Sequence, residues 1–247
     1  KVVVEKNIKY KRADNKLINP DYRPLDIDYD RYVTIKNNLR KNNYNPKKIY
    51  KSSLFNVVDV GFNSIFLKAN KDLVSILKNF NLDSFDISKY IKITEKNILK
   101  LFDKRKGTFF SLDIKNKKKI EIPSITNYFI LFADLNNEKI NNKLIKNLKK
   151  HNQKEKYFFS SIKPNHKSFE EKRYWRGPVW INCNWILYKG LKNKDYLFSK
   201  KIKNLTIKLI EKKGIYEYYS CKNGKPMGAS NFSWSAALYL DLILSKN

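Results

Sequence analysis

A chain of 247 residues that is 42% hydrophobic and 14% aromatic is too apolar to stay disordered and long enough to bury a sizeable core. Its net charge of +29 raises nucleic-acid binding, but only seven of the 52 basic residues are Arg; Lys and Asn dominate, as AT-rich codons produce, and the planar fork that phosphate and base readers use is scarce, so no nucleic-acid partner is expected. Two Cys, Cys183 and Cys221, lie far apart outside any CxxC pattern and exclude a disulfide scaffold and a zinc site, and the lack of an apolar run of about 18 residues excludes a membrane-spanning helix.

In chain order, residues 28–42 carry Tyr29, Tyr32, Val33, Ile35 and Leu39 at three- and four-residue spacing, which predicts an amphipathic helix. Residues 56–79 predict a long, largely buried helix opened by Asn56 or Asp59 as cap. Helices follow at 86–103, 125–133 and 138–149, the last repeating Ile140, Leu144, Ile145 and Leu148. Two more are expected at 178–191 and 195–211, with Pro178 in the first turn and Gly190 and Gly214 at the two ends, and a final one at 232–244. Short β-like stretches sit at 108–112 and 215–219, and the run from Lys115 to Lys119 reads as an exposed turn. His151 and His166 lack partners at metal-ligand spacing and are expected in solvent-facing loops, so neither metal nor cofactor is implied. With no linker and no repeat period, residues 1–247 read as a single all-α domain of paired helices; oligomeric state is not legible.

All four Trp fall between positions 175 and 234. Trp185 shares a helical face with Ile181 and Tyr188 and is accounted for by packing. Tyr174, Trp175 and Arg176 instead precede the helix, in a turn that Gly177 and Pro178 impose, and loops that open onto sites often carry function. Flat aromatic faces beside Arg and Asn donors suit a sugar, whose C–H faces stack while its hydroxyls take polar groups. Further on, Glu217 is the only acid between Glu211 and Asp241, and it stands among Tyr216, Tyr218 and Tyr219 before a turn-rich loop. Such a carboxylate is either a candidate acid or base or an exposed strand residue beside Lys222 or Lys225.

Together these segments resemble the bacterial branch of glycoside hydrolase family 63, which includes glucosylglycerate and mannosylglycerate hydrolases, and more distantly family 37 trehalases and the processing α-glucosidase I enzymes. The resemblance is carried by Tyr174-Trp-Arg-Gly-Pro-Val-Trp180 with Asn182 and Asn184, by Tyr216-Glu217-Tyr218 with Phe232-Ser-Trp-Ser-Ala-Ala237, and by Arg23-Pro24, Asp28–Tyr32, Asp59–Asn63 and Ala69–Leu73. The blocks run collinearly from about residue 10 to 245. The resemblance implies a partial (α/α)6 toroid of antiparallel hairpins, a carbohydrate substrate, and an inverting α-glycosidase that acts on a small α-glucoside, an α-mannoside or an oligosaccharide end. It makes Glu217 the general base and places Tyr174, Trp175, Gly177, Trp180, Trp234 and Arg12 in the sugar site. It also implies that the family's general acid, an Asp in a stretch like Glu-Ser-Gly-x-Asp-Asn-Ser-Pro, lies before the segment matching Asp28–Tyr32. No such stretch occurs here, and the chain starts on Lys rather than Met. The sequence is therefore expected to be a C-terminal portion, inactive alone, with a cytoplasmic location as default. Asp59 reads as a cap, and Asp14, Asp26, Asp28 and Asp30 as loop or first-turn residues, rather than as substitutes for the acid. The alternatives are a non-catalytic carbohydrate-binding or structural α-toroid and, less favoured, a basic nucleic-acid binder.

Overall fold

The computed structural model describes residues 2–151 and 156–245. A short helix α1 (Asp14–Leu17) leads to α2 (Asp26–Lys41), whose first turn carries Asp26 and Asp28 and whose last carries Arg40 and Lys41, each sign matching its end of the helix dipole. Asn45 caps α3 (Pro46–Ser52), with Pro46 at the first helical position, where its missing N–H costs nothing. Strand β1 (Val57–Val58) precedes α4 (Val60–Asn79), and α4 folds back on α5 (Phe85–Ile98). A 3₁₀ turn at Leu99–Leu101 then opens two hairpins: β2 (Phe102–Asp103) pairs with β3 (Thr108–Phe109), and β4 (Ser111–Asp113) pairs with both β1 and β5 (Lys118–Ile120). The sequence from Lys115 to Lys119 forms the β4–β5 turn and the start of β5, with Lys117 at a positive φ.

A 3₁₀ segment, Ile125–Leu131, precedes α6 (Glu138–Lys149). Helices α7 (Ile181–Leu191) and α8 (Tyr196–Lys213) pack against each other, and strands β6 (Tyr216–Tyr219) and β7 (Pro226–Ser230) lead into α9 (Ser233–Leu244). The contacts run from α5 to α4, to the 3₁₀ segment, to α7, and on to α8 and α9. The molecule is mainly helical with few short strands. Its larger core joins Val60, Leu67, Phe109, Leu131, Leu144, Leu187 and Tyr218, and a smaller one gathers Val179, Ile181, Leu209 and Tyr219. No helix among the described residues is long and apolar enough to cross a membrane.

Several expectations need correction. The helix expected from 56 starts at Val60, because the Asp59 side chain accepts the Phe62 N–H at 2.7 Å while Val57 and Val58 pair with β4. The helix expected over 86–103 ends at Ile98, where the chain turns to put Phe102 on a strand against Phe109. Residues 125–131 form 3₁₀ turns rather than an α-helix, and their side chains are almost all buried. Pro178 lies before α7, not in its first turn, because Val179 pairs in extended form with Tyr219 and Ser160. Gly190 does not end α7. A Cβ there would stand 2.7 Å from the Phe132 nitrogen, so it is the close approach of two segments that requires glycine. Gly214 does end α8, at φ +85°.

His151 is buried, not solvent-facing. Its Nε2 lies 3.0 Å from the Ser160 carbonyl oxygen, and its ring sits edge-on to Tyr128 and Phe159. Burial pushes its pKa down to about 4, so it is a neutral packing residue near pH 7. His166 is half-buried in a loop and accepts the Ser168 N–H at Nδ1.

Candidate active site

The site is built on a defect in the β6–β7 pairing. Tyr216 faces Ser230 and Tyr218 faces Met227, so Gly228 and Ala229 together stand opposite Glu217. This is a β-bulge, which re-aims local groups at the expense of regular pairing. Gly228 has φ +75°, and a Cβ on it would lie 2.5 Å from Glu217 Oε2. The bulge points the Ala229 N–H at the carboxylate, where it donates to Oε2 at 3.1 Å. From the other side, Arg23 Nη1 donates to Oε1 at 3.1 Å. Glu217 is only 4% exposed, so neither the exposed-strand reading nor a pairing with Lys222 or Lys225 holds.

The aromatic residues converge on the same place. Val179 exchanges both backbone hydrogen bonds with Tyr219, which brings Trp180 alongside Tyr218 at 4.6 Å between ring centres. Trp175 stacks flat on Trp180 at 3.8 Å and an interplanar angle of 5°. Tyr174 stands edge-on to Trp180 and Tyr218, and Trp234 lies 6.5 Å from Trp180. Trp180 is buried, whereas Trp175 is 38% and Trp234 46% exposed, so the cluster presents indole surface to its surroundings. Tyr174 holds φ +30°, and its carbonyl accepts the Trp180 Nε1 hydrogen at 3.1 Å, an interaction that secures the unusual conformation. Gly177 contributes by being small: a Cβ there would collide with the backbone of Glu170 and Glu171. Burial first, and then the nearby Glu217 charge, raise the pKa values of Tyr174 and Tyr218, so both stay protonated near neutrality.

Arg12 sits apart from the aromatic cluster. It grips Asp14 with two hydrogen bonds (3.1 and 2.9 Å) and Asp26 with one (2.7 Å), and its guanidinium lies 3.8 Å over the Tyr29 ring. The Arg12 hydrogen bonds hold the Asp14 carboxyl down at about 2, and Tyr29 donates to the same carboxylate at 2.7 Å. This network borders the site through Arg23, whose charge also reaches Asp14 and Tyr29.

Three site groups escaped nomination from sequence: Arg23, Gly228 and the Ala229 N–H. One signal was available for Arg23. In a chain that uses Lys for most positive charge, Arg12, Arg23, Arg31, Arg173 and Arg176 all pair with carboxylates in this region, namely Asp14, Asp26, Asp28, Glu170 and Glu217. Among the described residues no group of three or more His, Cys, Asp or Glu is placed to hold a metal ion.

The oriented buried carboxylate beside stacked, part-exposed indoles can be set beside known proteins. Residues 4–235 match the model of the "Mannosylglycerate hydrolase MGH1-like glycoside hydrolase domain". A mannosylglycerate hydrolase of Thermus thermophilus is 37% identical over 243 residues, which are 97% of this chain and 58% of that protein. A glucosylglycerate hydrolase of Mycolicibacterium hassiacum is 26% identical over 257 residues, covering 97% and 56%. The crystal structure of the family 63 mannosylglycerate hydrolase from a second strain of Thermus thermophilus, in complex with Tris and D-glycerate, superposes with a TM-score of 0.94 at 34% identity, covering 99% of this chain and 60% of that one. The chain thus spans somewhat more than half the length of these relatives. With nearly its whole length matched in both sequence and backbone, the chain belongs to the mannosylglycerate hydrolase MGH1-like family of glycoside hydrolases.

Proposed function

We propose that this protein hydrolyses a small α-glycoside of glycerate, an α-mannoside or α-glucoside, with inversion at the anomeric carbon and with Glu217 as general base. The observation that carries the reading is the clamp on Glu217. Both carboxylate oxygens are held by donors, Arg23 and the Ala229 N–H, at a buried position beside the indole stack. A carboxylate so fixed can take a proton from water as that water attacks the sugar, while the part-exposed Trp175 and Trp234 supply faces for the pyranose ring and the buried Trp180, with Tyr174 edge-on to it, backs Trp175. In an inverting enzyme a second carboxyl group, roughly 6.5–9.5 Å from the base, protonates the leaving oxygen. The family resemblance puts that acid in a Ser-Gly-x-Asp-like stretch, for which this chain has no counterpart. The described portion is then base-bearing and not catalytic by itself.

On the same reading, residues 1–247 form one domain that is part of an (α/α)6 ring. Helix α7, in the middle of the helical array, exposes no large apolar side chain. Towards the ends, α4 exposes Phe62, Ile65, Phe66, Leu73 and Ile76, and α9 exposes Leu240, Ile243 and Leu244. In a closed ring further hairpins would cover those faces.

The test uses the complete natural gene product with α-mannosylglycerate and α-glucosylglycerate as substrates. Glu217→Gln should lower turnover at least ~100-fold while sugar binding, followed by tryptophan fluorescence, persists. NMR of the wild-type reaction should show the inverted anomer first. Near-normal turnover by Glu217→Gln would remove the base assignment, and sugar binding without turnover in the wild type would mark a non-catalytic carbohydrate binder.

A further inference from the structure

We infer that Arg23 is the positioning residue of the catalytic base: it sets the direction in which Glu217 presents its free lone pairs to the attacking water. The inference rests on Glu217 being the base. A carboxylate held at one oxygen can still rotate about its Cγ–Cδ bond, but one held at both cannot. Ala229 N–H holds Oε2 and Arg23 Nη1 holds Oε1, each at 3.1 Å, so Arg23 is the second point that fixes the plane.

Three features separate Arg23 from an arginine kept for stability. The first is how its donors are used. Arg12 commits Nε, Nη1 and Nη2 to Asp14 and Asp26, whereas Arg23 Nε, like Arg31 Nε, is buried without a hydrogen-bond partner among the described residues. A buried unsatisfied donor opposes folding, and such groups tend to persist where function requires the side chain. The second is how firmly Arg23 is itself held. Its carbonyl accepts from Arg173 Nη1 at 2.8 Å, and the preceding carbonyl, of Tyr22, accepts from the Tyr218 hydroxyl at 2.6 Å. The Tyr174 ring lies 5.3 Å from the guanidinium. Arg23 is therefore a fixed post rather than a surface side chain that happens to meet a carboxylate. The third is its identity. In a chain with 45 Lys, a lysine here would supply the same charge but not a planar donor of fixed direction.

The experiment measures kcat and KM for α-mannosylglycerate in the complete natural gene product, comparing wild type with Arg23→Ala, Arg23→Lys, Glu217→Gln and the double variant Arg23→Ala/Glu217→Gln. Arg23→Ala should lower kcat roughly 10- to 100-fold, the scale of a misdirected catalytic group, with KM changed less than about threefold. Arg23→Lys should recover only part of the loss, and added guanidinium should restore part of kcat to Arg23→Ala. The double variant should be no slower than Glu217→Gln, because Arg23 acts only through that carboxylate. Wild-type kcat in Arg23→Ala, with Glu217→Gln impaired, overturns the inference and leaves the base assignment standing. A raised KM at unchanged kcat overturns it in favour of substrate contact. Additive losses in the double variant overturn it in favour of a general structural role. Near-normal turnover in Glu217→Gln removes the base assignment itself. Thermal melts show which variants fold; where Arg23→Ala does not, Arg23→Lys and Arg23→Gln carry the same comparison.

Discussion

Glu217 owes its position to the glycine that faces it across the bulge. Gly228 holds φ +75°, and a methyl group there would press on Oε2 at 2.5 Å. A left-handed conformation costs an L-residue with a side chain about 1–2 kcal/mol before any clash is counted. Gly228→Ala should therefore lower the melting temperature and, in the complete protein, cut turnover, because relief of the clash displaces the carboxylate. An alanine variant with unchanged melting temperature and turnover would refute this account of the bulge. At this scale the sequence was informative where chemistry is local. Glu217 stood out as an isolated acid among tyrosines, and Tyr174, Trp175, Trp180 and Trp234 stood out as bulky residues in a Lys-rich background. Arg23 did not stand out as a site residue, because its partner lies 194 positions away.

The helices follow the spacing of apolar residues, and their ends follow caps and competing pairings. Asp59 fixes where α4 begins: it accepts the Phe62 N–H at 2.7 Å and also accepts from the Ser111 hydroxyl at 3.1 Å, so one side chain joins the helix to β4. Asp59→Ala should destabilise the fold by about 1 kcal/mol for the cap, plus the loss of the Ser111 contact. A denaturant midpoint unchanged from wild type would show that the cap contributes nothing. Among the elements that periodicity predicted well are α6 and α8, whose N-termini carry such caps, Asn137 and Asp195. Elements it misjudged were decided elsewhere. Residues 125–131 are apolar enough for a helix, yet they form buried 3₁₀ turns, with the Ile125 N–H donated to the Ser161 carbonyl. Pro178 reads as a helix start until Val179 pairs with Tyr219, which keeps the chain extended up to Trp180.

Over the whole molecule, His151 makes stability depend on pH. A histidine titrates near 6.5 when unfolded and, buried here, at about 4. The folded state excludes the proton that the unfolded chain binds, so the contribution of the neutral ring is complete above pH 6.5. It drains away as the pH falls towards 4, by about 3 kcal/mol in total. Denaturation midpoints of wild type and His151→Gln, measured between pH 7.5 and 4.5, should converge as the pH falls. A constant gap would show that His151 is not the responsible group. Burial sets this downward shift, with a smaller push from the Lys163 charge and with the Ser160 carbonyl opposing it, so added salt should change it little.

What the sequence determined by itself was whatever depends on neighbours a few residues apart: the helical character, the caps at Asp59 and Gly214, the aromatic segment before α7, and the motifs that mark the family. Only the tertiary structure decided the burial of His151, the bulge of two residues against Glu217, the close approach that makes Gly190 necessary, and the meeting of Arg23 with Glu217. The division has a physical cause. Spacing and capping are written in the chain's local chemistry, whereas a pairing across 194 residues exists only once the packing of every element between has brought the two side chains together.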